Sequence, residues 1–167
     1  MAPAPFIVRP AGPCDAAAIT AVHIDSITVL GARGYAPDQV AQWRLPCAPQ
    51  RYVDAMARGE HFFLAVTSDT APGPLGFSAY RVEHGLHRIA TYVAARGARR
   101  GVGTALYLAA EELARTRGAR EIHVDSSLVA VDFYLALGFD EVARGAHPLR
   151  IGGDLPCVFM RKVIVKS

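Results

Sequence analysis

Apolar residues recur along this chain with two different periods, and the change of period predicts the elements. In the first third, a short apolar strand precedes three segments of helical period. These are a strand at 6–9, a helix at 15–30 and shorter helical pieces at 35–43 and 51–58. The period then becomes two in three successive segments, which predicts a β-meander. Its strands are at 61–67, 75–81 and 87–93, with a turn at 69–74.

Helical period returns in the second half and alternates with short apolar strands. The predicted elements are a helix at 101–117, a strand at 121–124, a helix at 127–137 and strands at 139–142 and 156–165. Gly118 and Gly138 follow the two helices, at the position where a left-handed residue commonly ends a helix. We expect one α/β (α+β) domain over 1–167, with its core at about 6–163 and a mixed sheet covered by helices.

Composition supports a folded protein and argues against several classes. Of the 167 residues, 51% are hydrophobic and 20% charged, which suits one domain with a sizeable core. Charged residues interrupt every apolar segment before the roughly 20 residues of a membrane span, and the N-terminus lacks a basic leader. We therefore expect a cytoplasmic protein without a membrane partner. Cys14, Cys47 and Cys157 are widely spaced, which favours neither a disulfide framework nor a zinc module.

The charge distribution says more than the net charge of +3, which is too small to indicate nucleic-acid binding. Seven arginines fall between positions 88 and 120, where only Glu111 and Glu112 oppose them. A local excess of positive charge around a glycine-rich turn favours a small polyanionic ligand, although an arginine-rich solvated face would look similar.

The glycine-rich turn lies between a predicted strand and a predicted helix. Gly101 and Gly103 allow close backbone approach, and the helix start offers unpaired N–H groups to an anion. A Walker loop would need Gly-Lys-Ser/Thr, which is absent, and a dinucleotide fingerprint would need a small residue where Leu106 stands. The sequence therefore predicts a phosphate-binding loop and disfavours a nucleotide-dependent oxidoreductase.

Two motifs in this order resemble the GNAT superfamily of acyl-CoA-dependent N-acetyltransferases. The first is Ala98-Arg-Arg-Gly101-Val-Gly103, in which Ala98 replaces the usual Gln or Arg. The second is Ser127-Leu-Val-Ala-Val-Asp-Phe-Tyr134-Leu-Ala-Leu-Gly-Phe139, in which Ser127 replaces Asn. The resemblance covers about 6–163 and implies a twisted, mostly antiparallel sheet of about seven strands flanked by four or so helices.

The resemblance also implies acetyl-CoA as co-substrate, without a metal. Its pyrophosphate would bind the backbone N–H groups of the loop and helix start, and its pantetheine would lie beside the preceding strand. The implied binding residues are Arg99, Arg100, Gly101, Val102, Gly103, Thr104, Tyr92, Val93 and Ala94, with Ser127 and Tyr134 near the thioester. A backbone N–H near Val93 would stabilise the oxyanion, and Tyr134 would protonate the departing thiolate.

The sequence leaves several candidates for the general base and for the residues of the acceptor pocket. His87 stands about where related proteins often place a glutamate, and imidazole suits proton transfer near neutral pH. The further base candidates are Glu83, Asp25, His23 and Asp125. The spacing His84-x-x-His87 could suggest a metal, but no third ligand is evident. The pocket residues expected from the first helices are His23, Asp25, Tyr35, Asp38 and Trp43, whose acids would attract a cationic amine, although Tyr35 and Trp43 fit core positions equally well.

These observations predict an N-acetyltransferase that moves the acetyl group of acetyl-CoA directly to a primary amine of a small molecule, amino acid or peptide. The alternative is a catalytically silent acyl-CoA-binding or interaction domain of the same fold. Ala98 and the missing strand glutamate favour the alternative, whereas Tyr134 in register opposes it. An exposed C-terminal strand makes a homodimer plausible.

Overall fold

A computed structural model describes residues 5–68 and 73–164. In this part of the chain seven strands and five main helices alternate much as the periodicity predicts. The strands are β1 (Phe6–Ala11), β2 (His61–Thr67), β3 (Gly76–Glu83), β4 (Leu86–Val93), β5 (Glu121–Ser127), β6 (Asp140–Pro148) and β7 (Asp154–Val163). The helices are α1 (Ala16–Asp25), α2 (Pro37–Arg44), α3 (Pro49–Ala57), α4 (Val102–Thr116) and α5 (Val131–Ala136).

The strands form one sheet in the order β1-β2-β3-β4-β5-β7-β6. Neighbouring strands are antiparallel except β4 and β5, which are parallel because α4 crosses over between them. The expected mixed, mostly antiparallel sheet of seven strands is confirmed, with five helices rather than about four.

Helices cover both faces of this sheet. On one face α4 buries Leu106, Tyr107 and Ala110 against β3 and β4. On the other face α1 and α3 pack over Phe62 and Phe77, which lie in β2 and β3. The two cores meet the sheet on opposite sides, so alternate residues of β3 and β4 face different surroundings.

The first helix ends earlier than its hydrophobic period suggests. Regular α-helix stops at Asp25 and continues as a wider π-type turn over Ser26–Leu30 and a 3₁₀ turn over Gly31–Arg33. A Cβ on Gly31 would lie 3.0 Å from the Trp43 ring, so the chain here is shaped by contact with α2. Apolar spacing alone does not report this change of helical type.

The helical run Pro13–Arg33 is long and apolar enough to resemble a membrane span by length and composition. Its side chains Ile19, Val22 and Ile27 are at most 3% exposed and pack into the protein core. The apolar character of this run is therefore explained by its packing in the protein core.

The strand β6 is longer than its apolar residues indicate. β6 extends to Pro148, well beyond the predicted end at 142, because it pairs along its length with β7. Cross-strand pairing thus orders polar positions that carry no period-two signal. The predicted turn at 69–74 lies partly outside the described residues, and the predicted strand end at 165 lies wholly outside them.

Candidate active site

The parallel strands β4 and β5 diverge soon after they meet. They share one register pair, Arg88 with His123, whereas all of β3 pairs with β4. Beyond Arg88, the described chain provides no strand partner for the β5-facing edge of β4. Free backbone N–H and C=O groups on such an edge can pair with an extended ligand.

The start of α4 lies beside this opening. Gly101 has a φ of 77°, and Arg99 also lies in the left-handed region with a φ of 59°. The first backbone hydrogen bond of the helix runs from the Ala105 N–H to the Gly101 carbonyl at 3.1 Å. The preceding N–H groups of α4 are therefore without helical partners and form the positive pole of a 15-residue helix.

The two motif glycines do different work. A Cβ on Gly101 would meet nothing within 4 Å, so this part of the loop presents open space to a ligand. A Cβ on Gly103 would lie 3.1 Å from the Phe133 ring and 3.4 Å from Val93. Gly103 therefore allows α4 to pack against the strand and α5, which shapes one wall of the opening. A pyrophosphate and its pantetheine arm fit these surroundings.

Tyr134 lies on the same side of the sheet as α4. Its side chain is 4% exposed, and its ring contacts Phe133 and Phe139 with centroids 5.0 and 5.3 Å away. Burial raises the pKa of the Tyr134 hydroxyl above its usual value, and polar groups of Thr91 in β4 partly oppose the rise. The hydroxyl is therefore protonated at neutral pH and available as a donor.

A cavity of about 850 Å³ opens on the opposite face of the sheet, below α1 and α3. Aromatic side chains form much of its wall: Tyr35, Trp43, Tyr52, Phe77 and Tyr92. Ser127, at the end of β5, also lines it. The cavity combines a broad apolar wall with polar groups from the strands, as small-molecule sites usually do.

Charged residues cross the floor of this cavity as one connected row. Successive members are 3.6, 3.4, 3.0, 3.0 and 3.1 Å apart between their closest charged atoms. In order they are Glu60, Arg81, Glu83, Arg88, Asp125 and His147. The row runs from β3 through β4 and β5 to β6, across the intervening β7, so it links the substrate-sized cavity to the divergence of β4 and β5.

His23 and Tyr52 form a buried pair at the same cavity. The Tyr52 hydroxyl lies 2.8 Å from His23 Nδ1, and the His23 ring packs on Tyr92 with centroids 4.1 Å apart. Burial lowers the pKa of His23 to about 3, with a smaller contribution from the positive charge of Arg51. His23 is therefore neutral, and its buried Nε2 has no hydrogen-bond partner among the described residues.

The base candidates proposed from the sequence are separated by the structure. His87 lies on the α4 side of β4, where its Nδ1 is 2.7 Å from the Tyr80 hydroxyl, and it does not line the cavity. The pleat instead turns its neighbour Arg88 towards the cavity. Asp25 accepts a hydrogen bond from the Ala95 N–H at 2.7 Å, which ties α1 to the end of β4.

The remaining residues predicted for the acceptor pocket also lie in different places. The Tyr35 hydroxyl donates to the Pro156 carbonyl at 2.6 Å and accepts from the Leu128 N–H at 2.9 Å, so it ties the turn before α2 to β7 and to the segment before α5. Asp38 lies exposed in the first turn of α2, outside the cavity lining. His84 adopts a positive φ in the β3–β4 turn. Within 5–68 and 73–164 no group of three His, Cys, Asp or Glu is placed to hold a metal.

Sequence reasoning missed several cavity residues. Arg51, Tyr52, Glu60 and His147 line the cavity but belong to no motif. Period-two alternation from Tyr92 could have indicated Arg88. Nothing in the local sequence indicates His147, because it reaches the cavity through the long pairing of β6 with β7.

Comparison with known proteins identifies this architecture. The family model for the acetyltransferase (GNAT) domain matches residues 32–161, and the chain belongs to this family. No curated protein matched significantly. The GCN5-related N-acetyltransferase of Rhodopseudomonas palustris is 28% identical, with a TM-score of 0.84 over 98% of this chain and 99% of that one.

Two further solved structures contain the acyl carrier. The PaiA N-acetyltransferase of Thermoplasma acidophilum, bound to coenzyme A, has 16% identity and a TM-score of 0.78 over 96% of this chain and 99% of that one. The phosphinothricin acetyltransferase of Sinorhizobium meliloti, bound to acetyl-CoA, has 18% identity and a TM-score of 0.68 over 95% and 88%. At these identities the two neighbours show the shared fold.

Proposed function

We propose that this protein transfers the acetyl group of acetyl-CoA directly to a primary amine of a small molecule, amino acid or peptide. The observation that carries the proposal is the divergence of β4 and β5 beside the free N-terminus of α4. The opening would accept pantetheine along Tyr92, Val93 and Ala94 and direct the thioester towards the cavity.

In this reaction the amine nitrogen attacks the thioester carbonyl and the carbon–sulfur bond breaks. A backbone N–H near Val93 would stabilise the negative charge that develops on the carbonyl oxygen. Tyr134 would give its proton to the departing thiolate and recover one from solvent. Its burial and raised pKa support this role, because the hydroxyl stays protonated until the thiolate forms.

We propose His147, positioned by Asp125, as the group that receives the amine proton. Asp125 Oδ2 lies 3.1 Å from His147 Nε2, and Phe159 packs edge-on to the imidazole with centroids 6.2 Å apart. A proton on Nε2 directed at the carboxylate leaves the Nδ1 lone pair free to act as the base. The half-exposed ring could then release the proton to solvent.

The test of the function is amine-dependent release of the CoA thiol. Purified protein is mixed with acetyl-CoA and a panel of amines, and thiol release and acetylated product are measured together. We expect at least one amine to give both in equal amounts. Acetyl-CoA binding without amine-dependent release would instead support the catalytically silent domain.

The cytoplasmic location and the homodimer stay predictions of the sequence. Exposed apolar side chains on the outer strands, Val142 in β6 and Ile7 in β1, support association through a sheet edge. Light scattering on the purified chain would measure its mass in solution, and a monomer at micromolar concentration would contradict the homodimer.

A further inference from the structure

The cavity has an excess of positive charge. Its described lining contains five arginines and three carboxylates. The carboxylates, Glu60, Glu83 and Asp125, all form ion pairs with Arg81 or Arg88. An acceptor that offered only an ammonium group would therefore compete with arginines already in place, and the net field of the cavity would oppose it.

Arg51 is an exposed arginine that lines the cavity near the aromatic wall. Burial chiefly sets the pKa values of His23, Tyr52 and Tyr92, and the positive charge of Arg51 acts on all three. Across 5–68 and 73–164 no hydrogen bond or ion pair holds its guanidinium. A planar guanidinium without a protein counter-ion can bind a carboxylate through two parallel hydrogen bonds.

His23 supplies a second donor at the same place. The Tyr52 hydroxyl lies beside both His23 Nδ1 and the Cys47 thiol. Imidazole nitrogen is a much stronger base than a thiol, so we assign Tyr52 as the donor and His23 Nδ1 as the acceptor. The proton of the neutral ring then lies on Nε2, which is buried at the cavity and has no acceptor within the described chain. A buried N–H without an acceptor is unfavourable until a ligand supplies one.

We propose that the acceptor amine carries a carboxylate, bound by the guanidinium of Arg51 and the Nε2–H of His23. The inference rests on the proposed function and narrows its substrate to free amino acids and similar amino-carboxylates. The aromatic wall beside these donors, formed by Trp43, Phe77 and Tyr92, would contact the apolar part of the substrate. Simple amines and the side-chain amine of a lysine within a protein chain lack a carboxylate in this position.

The first test compares amines that differ only by a carboxylate. Values of kcat/KM are measured for phenylalanine with phenethylamine, and for leucine with isoamylamine. We expect the carboxylated member of at least one pair to be preferred roughly 10- to 100-fold, as for a hydrogen-bonded charged group. Equal or better use of the plain amine in both pairs overturns the inference.

Substitutions of Arg51 test whether this residue causes the preference for an amine that carries a carboxylate. Arg51→Gln should remove most of the preference, because kcat/KM should fall much more for the amino acid than for the plain amine. Arg51→Lys should retain part of it, because the charge remains but the paired hydrogen bonds do not. The matched control is Arg120→Gln, an exposed arginine just before β5 and outside the cavity lining. Equal losses for both substrates in Arg51→Gln would contradict the inference.

A binding measurement separates this inference from the proposed function. Calorimetry with N-acetylphenylalanine and its amide reports carboxylate recognition without any turnover. We expect the acid to bind at least tenfold more tightly than the amide in the wild type and this difference to become much smaller in Arg51→Gln. If no amine is acetylated, the proposed function fails, and equal binding of acid and amide by the wild type would overturn the inference as well.

Discussion

The two sides of β4 are built in different ways. The opening that we propose for acetyl-CoA is bounded by two short contiguous segments, the start of α4 and the helix α5, and it offers mainly backbone groups. The cavity on the other face gathers side chains from distant segments, such as His23 in α1, Arg88 in β4 and His147 in β6. The opening, built from backbone groups, suits a ligand that is the same in every family member. The cavity, built from side chains, can bind different ligands when those side chains differ.

This difference explains why the motifs indicate the acyl donor but not the acceptor. A helix N-terminus binds phosphate with N–H groups that almost any residue supplies, provided that glycine allows the geometry. An amine acceptor must be recognised by particular side chains, and the fold brings these together from positions over a hundred residues apart. Each of the following experiments perturbs one side of β4 and leaves the other intact.

The largest effect is expected on the donor side from Tyr134→Phe. Loss of the hydroxyl should lower kcat roughly 10²- to 10⁴-fold, because it donates a proton to charge that develops in the transition state. Steady-state kinetics and calorimetry should show almost unchanged acetyl-CoA affinity. Tyr80→Phe is the matched control, since Tyr80 is buried on the same face and its hydroxyl contacts only His87 among the described residues. A loss below tenfold in Tyr134→Phe would leave Tyr134 as a packing residue.

On the acceptor side, His147→Ala is expected to lower kcat/KM roughly 10²-fold and to remove the limb of the pH profile that rises with deprotonation of the base. His87→Ala is the comparison, because His87 faces α4 and contacts Tyr80. We expect its profile to match the wild type. The reverse result, with the limb lost only in His87→Ala, would place the base on the donor side.

Acetyl-CoA should stabilise the protein by about 2.7 kcal/mol at a hundredfold excess over its Kd, measured as a rise in Tm. NAD should produce a much smaller shift. Gly103→Val should abolish most of the acetyl-CoA shift, because the added side chain displaces Phe133 and Val93 from the wall of the opening. Gly12→Val is the control, since a Cβ there meets nothing within 4 Å and its φ of −119° suits any residue. Retained binding in Gly103→Val would place the pyrophosphate elsewhere.

The smallest expected effect concerns His23 and the pH dependence of stability. Its pKa is about 3 in the folded protein and near 6.5 when unfolded, so below pH 6.5 the unfolded chain binds a proton that the folded chain does not. Stability should therefore fall as the pH falls, by about 1.4 kcal/mol per pH unit, or about 2 kcal/mol between pH 6.5 and 5. Urea unfolding of wild type and His23→Gln would measure this, and an equal pH dependence in both would contradict it.

Local sequence predicted most of the fold because each element carries its own signal. The helical period and terminal glycine of α4 depend only on neighbouring residues, and so does the alternation of β2, β3 and β4. The length of β6 could not be predicted in this way. Its residues Val142 and His147 are exposed, and they are extended because β7 pairs with them.

The same distinction between local sequence and long-range pairing applies to the candidate site. The sequence by itself determined the glycine turn at Gly101 before α4 and the place of Tyr134 in α5, because both depend on contiguous backbone and a helical repeat. Only the tertiary structure decided that His87 turns away from the cavity and that Arg88 and Asp125 meet across the two strands. A shift of one residue exchanges the two faces of a strand, and a pairing between distant segments depends on sheet register. Neither is encoded by the residues next to the site.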